Sequence, residues 1–104
     1  MFTLDQARSF IAVAEELHFG RAAVRLNMTQ PPLSRQIQKL EKTVGVELLE
    51  RDNRRVALTA AGRAFLVEAR KLVVAADRAP LLLRRVDQTR RARGDARDGH
   101  AFFS

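Results

Sequence analysis

Apolar residues recur along this chain at the spacing of helices, and one such stretch organises the rest. Between residues 29 and 45, Leu33, Ile37, Leu40 and Val44 fall at i, i+4, i+7 and i+11, which predicts one buried helix face. The opposite face carries Pro31, Ser34, Arg35, Gln38 and Lys42, with Glu41 the one acid nearby. Gly45 follows, the residue most often found just past a helix end. Arginine and glutamine bond bidentately to guanine and adenine edges, so this face has the chemistry of base reading. Plain solvated helix faces have the same composition, and only the flanking elements separate the two.

Upstream, Leu4, Ala7, Phe10, Ile11, Ala14 and Leu17 form the stripe of a first helix that runs to about Leu17. Thr3 and Gln6 have capping-box spacing, Asp5 suits the first turn, and Phe2 with Ala7 predicts a hydrophobic staple. His18, Phe19 and Gly20 read as a break. Residues 21–26 then read as a second helix too short to hold alone, and its Ala22, Ala23 and Leu26 let another helix approach closely. Asn27 tolerates the left-handed conformation of a tight turn, and Met28 is an apolar plug. Helix, short turn and second helix make the spacing of a helix-turn-helix, with an ordinary helical hairpin as the alternative.

Thr29 stands as N-cap of the organising helix, where a side-chain oxygen normally accepts from the second or third residue onward. Those residues are Pro31 and Pro32, which lack an amide hydrogen. The helix still starts, because first-turn amides make no helical bonds. The Thr29 hydroxyl is left for water or for a phosphate.

Residues 46–59 read as a hairpin, with arms 46–51 and 56–59 around the polar turn of Asp52, Asn53, Arg54 and Arg55. The first arm fits a helical turn as well. Arginines at such a tip suit a narrow, electronegative minor groove, and they also suit plain solvent.

A long helix begins at Thr59 and Ala60. Phe65, Ala69, Leu72, Ala76, Ala79, Leu83 and Val86 follow steps of four and three, a heptad seam, and Val67, Val74 and Leu81 form a second stripe. Two stripes are more than one small domain covers, so one is expected to meet a partner chain. Pro80 removes a helical bond and clashes with the preceding turn, which predicts an end near Ala79 or a kink. From Thr89 the apolar period stops and glycine and arginine dominate, so residues 89–104 read as a flexible tail in which Phe102 and Phe103 stand alone.

Composition narrows the class. The chain has 104 residues, one domain's worth, with 46% hydrophobic and 30% charged residues. Its net charge of +7, from 19 basic and 12 acidic residues, favours polyanion partners, nucleic acid before anionic membrane. No cysteine is present, which excludes disulfides, thiolate metal sites and cysteine nucleophiles. His18 and His100 are far apart, the acids are dispersed, and there is no P-loop or nucleophile motif. No catalytic residue, metal or cofactor is expected. Neither Tyr nor Trp is present to form a stacking platform, so RNA is a weaker partner than duplex DNA. No apolar run is long enough to span a membrane, and the expected location is the cytoplasm, at the nucleoid.

Three runs carry a family resemblance: L-D-Q-A-R-S-F-I-A-V-A-E-E at 4–16, F-G-R-A-A-V-R-L-N-M-T-Q-P-P-L-S-R-Q-I-Q-K-L-E at 19–41, and G-V-E-L-L-E-R with R-V-A-L-T-A-A-G within 45–62. In order and spacing they resemble the amino-terminal region of LysR-type transcriptional regulators, over about residues 1–88. The resemblance implies a mainly α fold, a winged helix-turn-helix of three helices and a short two-stranded wing, followed by a long linker helix that dimerises. It implies that Gln30, Pro31, Ser34 and Arg35 face the major groove and that Arg54 enters the minor groove. Leu49 stands where many members have phenylalanine, and nothing after residue 88 resembles the start of the family's effector domain.

The resulting expectation has residues 1–59 as a DNA-binding domain, 60–88 as a dimerisation helix and 89–104 as a tail. Gln30, Pro31, Ser34, Arg35 and Arg54 read bases, while Thr29, Gln38, Lys42 and Arg55 hold phosphates. Phe65, Ala69, Leu72, Ala76, Ala79 and Leu83 pair two copies on a dyad-symmetric duplex site. No membrane and no small-molecule ligand are expected for this segment. The competing expectation is a truncated dimerisation module that acts by protein–protein pairing.

Overall fold

The computed structural model describes residues 1–52 and 55–94. In chain order these form α1 (Leu4–Glu16), α2 (Phe19–Arg25), α3 (Gln30–Val44), β1 (Leu49–Arg51), β2 (Val56–Leu58) and α4 (Ala60–Gly94). The chain divides into two compact units, Met1–Val73 and Val74–Ser104. The first is a winged helix-turn-helix, as the sequence implies.

In the first unit α1 starts on a complete capping box. Thr3 Oγ1 accepts from the Gln6 amide at 3.1 Å, and Gln6 Oε1 accepts from the Thr3 amide at 2.9 Å. The helix closes on Leu17 in the left-handed region, φ 49°, where a side chain is disfavoured. Burial on α1 is broader than the sequence stripe. Ala7, Phe10 and Ala14 are buried as expected, but so are Gln6, Ser9, Ala12 and Val13, while Leu4 and Leu17 are exposed at the ends. The helix packs on α2 and α3 at once, and Phe65 of α4 meets the Phe10 ring edge-on at 5.2 Å, so more than one face is covered. The buried Ser9 hydroxyl bonds Gln36 of α3.

The expected break at residues 18–20 is a helix start instead. His18 is the N-cap of α2, and its Nδ1 accepts from the Arg21 amide at 2.9 Å, so Phe19 and Gly20 already belong to the helix. A ring nitrogen replaces the usual hydroxyl or carboxylate cap, a substitution that sequence preference disfavours. Ala22 and Ala23 are buried, Asn27 takes φ 56° in the turn, and Met28 packs on the core. Phe10, Val13, Leu33, Ile37, Leu40 and Leu48 are the large side chains at the centre of that core.

α3 ends on Gly45 in the left-handed region, φ 80°, as its position predicts. The wing strands are shorter than expected and pair antiparallel, with Leu49 opposite Leu58, Glu50 opposite Ala57 and Arg51 opposite Val56. Residues 46–48 are a connector rather than strand. Across the turn, Asp52 Oδ1 accepts from the Arg55 amide at 2.8 Å, and the Asp52 amide donates to the Arg55 carbonyl at 3.1 Å. Asn53 and Arg54 lie outside the described residues.

Phe65 and Ala69 correct part of the expected pairing seam. Phe65 sits between the Phe2 and Phe10 rings, both centroids 5.2 Å away, and Ala69 has no exposed surface left. Both side chains are used inside the unit. Leu72 and Val67 remain exposed.

The second unit begins at Val74 and is helical through its described residues. α4 neither ends at Ala79 nor gives way to tail at Thr89; Pro80 lies inside it and it runs to Gly94. One missing amide bond is offset by strong helix formers on its C-terminal side, Leu81 to Arg85, by an Asp87–Arg91 ion pair at 3.1 Å, and by the many bonds a long helix retains. The Thr89 hydroxyl donates to the Arg85 carbonyl one turn back, at 3.0 Å. Leu81, Leu82, Leu83 and Val86 are exposed. The rest of the expected tail, residues 95–104, with His100, Phe102 and Phe103, lies outside the described residues.

Candidate nucleic-acid interface

The surface of interest is built on the first turn of α3. Thr29 is its N-cap with extended backbone, φ −93° and ψ 164°, and its hydroxyl makes no capping hydrogen bond. The two prolines have removed the amides it would otherwise serve, as the sequence predicts. Thr29, Gln30, Pro31, Arg35, Gln38 and Lys42 are exposed, and Ser34 is half-buried beside them. Leu33, Ile37 and Leu40 point the other way into the core with no exposed surface. The predicted polar face therefore exists as a face.

Its charge is shaped by one carboxylate. Glu41 does not look outward. Its Oε2 accepts from the amides of Leu48 and Leu49 at 2.8 and 3.1 Å, and its Oε1 faces Arg51 Nη2 at 3.4 Å. Drawn into the α3–wing junction, this acid leaves Arg35, Lys39 and Lys42 exposed without ion pairs among the described residues. With Glu41 partnered by Arg51 and two amides, that face keeps a net cationic attraction for a polyanion.

Arg51 joins the elements. From β1 its guanidinium reaches Glu41, donates to Ser34 Oγ at 3.3 Å and lies 4.8 Å from the centre of the Phe19 ring of α2. Neither Glu41 nor Arg51 is singled out by sequence reasoning as a site residue. Their hydrogen-bond partners lie on other elements, 7 to 17 positions away across a turn, so no periodicity within one helix or strand reports them. Arg55 is exposed at the end of the wing turn, and Arg54 falls outside the described residues.

A second charge cluster lies where α1, α2 and α4 meet. Glu15 bonds Arg25 at 2.6 Å and Arg70 at 2.8 Å, and Glu16 pairs with Arg25 at 3.3 Å. Hydrogen bonds from Arg70 and then Arg25 hold the Glu15 carboxyl below its ordinary value, and the Glu15 bond holds Arg25 above its own. These arginines are committed to holding the unit together. No helix among the described residues is long and apolar enough to cross a membrane.

Residues 4–63 match the family of bacterial regulatory helix-turn-helix proteins known as the lysR family. The chain belongs to the LysR family. Among its relatives, an uncharacterised helix-turn-helix regulator of Escherichia coli (strain K12), YnfL, is 55% identical over 85 residues, which is 82% of this chain and 29% of YnfL. The regulator AlsR of Bacillus subtilis (strain 168) is 66% identical over 67 residues, 64% of this chain and 22% of AlsR. The chain thus spans less than a third of the length of these LysR relatives. Among solved structures, the CbnR DNA-binding domain in complex with DNA is similar with a TM-score of 0.80 and 45% identity, covering 83% of this chain and 99% of that one.

Proposed function

We propose that this LysR-family chain binds duplex DNA sequence-specifically, with α3 in the major groove and the wing at the minor groove, as the DNA-reading end of a transcriptional regulator. The observation that carries this reading is the exposed cationic and amide face of α3 on a fold shared with a domain solved on DNA. Gln30, Pro31, Ser34 and Arg35 read bases, Arg54 enters the minor groove, and Thr29, Gln38, Lys42 and Arg55 hold phosphates. Two copies pair through α4 on a dyad-symmetric site, using Leu72, Ala76, Ala79 and Leu83 rather than the buried Ala69. The division of labour is residues 1–59 for DNA and 60–88 for pairing. The protein binds rather than catalyses, and it works in the cytoplasm at the nucleoid.

The test is duplex binding by the full chain across a salt series, with Arg35→Ala beside it. A specific reader loses affinity with rising salt yet keeps its preference, and Arg35→Ala costs about 1–3 kcal/mol while relaxing choice at one base. An even loss over all sequences would assign Arg35 to phosphate alone. A second reading, a pairing module that captures longer partners, is favoured by the exposed Leu81, Leu82, Leu83 and Val86. It requires the biological effect to survive Arg35→Ala with Ser34→Ala.

A further inference from the structure

We infer that Arg51 is a positioning residue that fixes Ser34 as a hydrogen-bond donor toward DNA. The inference rests on the reading of α3 as the DNA-facing helix and goes beyond it by assigning Ser34 a polarity.

The geometry begins with the direction of one bond. A guanidinium has five N–H donors and no acceptor, so Ser34 Oγ must be the acceptor from Arg51 Nη1 at 3.3 Å. A serine hydroxyl has one hydrogen and two lone pairs, and on an open surface it rotates to suit either kind of partner. Here a lone pair is turned toward the wing, which directs the hydrogen away from the guanidinium.

Arg51 is itself held. Glu41 Oε1 faces it at 3.4 Å, the Phe19 ring lies 4.8 Å below, and its backbone is paired opposite Val56. Glu41 is held in turn by the amides of Leu48 and Leu49. The relay runs from buried wing backbone through a carboxylate and a guanidinium to a half-buried hydroxyl on the outward side of α3. A side chain engaged on three sides is not a free arm awaiting a phosphate. Its consequence for DNA is carried by Ser34.

A hydroxyl set as donor takes acceptors. In the major groove these are guanine O6 and N7, adenine N7 and thymine O4, and on the backbone the phosphate oxygens. With one of its two lone pairs taken by Arg51, the hydroxyl favours these acceptors over the cytosine amino group, which is itself a donor. The shared chemistry is an oxygen or nitrogen acceptor on the duplex.

The test uses the full chain on its selected duplex and on single-base variants of that duplex. Wild type, Arg51→Met, Ser34→Ala, the double variant and Arg51→Lys are compared, with melting temperatures taken alongside. Arg51→Met keeps an apolar stem over Phe19 and removes the donor. Each single variant is expected to lose about fivefold in affinity, and the double variant no more than Ser34→Ala alone. Arg51→Lys, which keeps a donor on a long stem, is expected to retain the preference. Coupled loss with changed choice at one base supports a base-edge acceptor. Coupled loss that is even across sequences supports a phosphate oxygen. Additive losses, or an Arg51→Met protein that keeps the Ser34-dependent preference, overturn the inference and leave the α3 reading standing. If Arg51→Met does not fold, Arg51→Leu, which also lacks a donor, takes its place, and additivity of its loss with that of Ser34→Ala overturns the inference in the same way. If Ser34→Ala changes nothing, the Arg51 inference falls, and Arg35→Ala on the same duplex decides separately whether α3 reads DNA.

Discussion

A Cβ atom on Gly62 would lie 2.0 Å from the carbonyl oxygen of Leu48. That carbonyl also accepts from the Thr59 amide at 3.1 Å, while the Leu48 amide donates to Glu41. The first turn of α4 therefore rests directly on the wing connector, and the connector is tied to α3. This contact fixes where the wing stands relative to the helix proposed to enter the major groove.

Gly62→Ala is accordingly expected to be damaging, although alanine favours helices. The obstacle is backbone, which cannot rotate away. A loss of about 3 kcal/mol in denaturant unfolding is expected. A stabilised Gly62→Ala protein would show that the approach is looser than described.

Glu41 is the second point of the same clamp. Glu41→Ala leaves the amides of Leu48 and Leu49, both buried residues, without their acceptor and Arg51 without its acid. A loss of about 2–4 kcal/mol is expected from hydrogen bonds to a charged group. Glu41→Gln, which keeps an oxygen for the amides, is expected to lose less. Equal losses in urea melts would remove the amides from the account.

Three threonines stand at helix starts: Thr3 Oγ1 accepts from the Gln6 amide and Thr59 Oγ1 from the Gly62 amide, whereas Thr29 accepts no capping hydrogen bond. Thr3→Ala is expected to cost about 1 kcal/mol through its capping box, whereas Thr29→Val is expected to leave stability within about 0.5 kcal/mol. Thr29→Val is instead expected to weaken duplex binding severalfold. Unchanged binding would assign its hydroxyl to water.

The cluster around Glu15 gives a pH dependence with a definite sign. Its folded carboxyl titrates below the ordinary 4.5, because Arg70 and then Arg25 bond it. The unfolded chain takes up that proton first as pH falls, so the contribution is fully present above 4.5 and is lost as pH drops through the lower folded value. Melting temperature is expected to be insensitive to Glu15→Gln pairing effects only at the acid end, where wild type and Glu15→Gln converge. Above 4.5 wild type should melt higher, with a gap that added salt narrows because the group is partly exposed. A gap that widens in acid would contradict the assignment.

What the sequence shows and what it hides divide by the range of the interaction. The Thr3–Gln6 box, the Leu33–Ile37–Leu40 stripe, Gly45 and the uncapped Thr29 all rest on neighbours within a turn or two, and all are present as read. His18, expected in a break between helices, starts the second helix because its ring nitrogen serves as the cap. Leu4 and Leu17 continue the stripe of α1 by period, yet they lie at its ends beyond the packing of α2 and α3. Pro80 does not end the helix, because one lost bond is weighed against the strong helix formers that follow it. Glu41 and Arg51 are illegible for the opposite reason: their partners come together only when the wing folds back on α3. The polar face of the candidate site is thus readable from period alone, and the support that orients it is not.

The most direct measurement is binding-site selection by the full chain from a random duplex library at moderate salt. Recovery of a dyad-symmetric motif is expected, with half-sites spaced for two α3 helices on successive major grooves. Recovery of no motif, with binding that vanishes steeply as salt rises, would contradict sequence-specific recognition and leave only phosphate attraction.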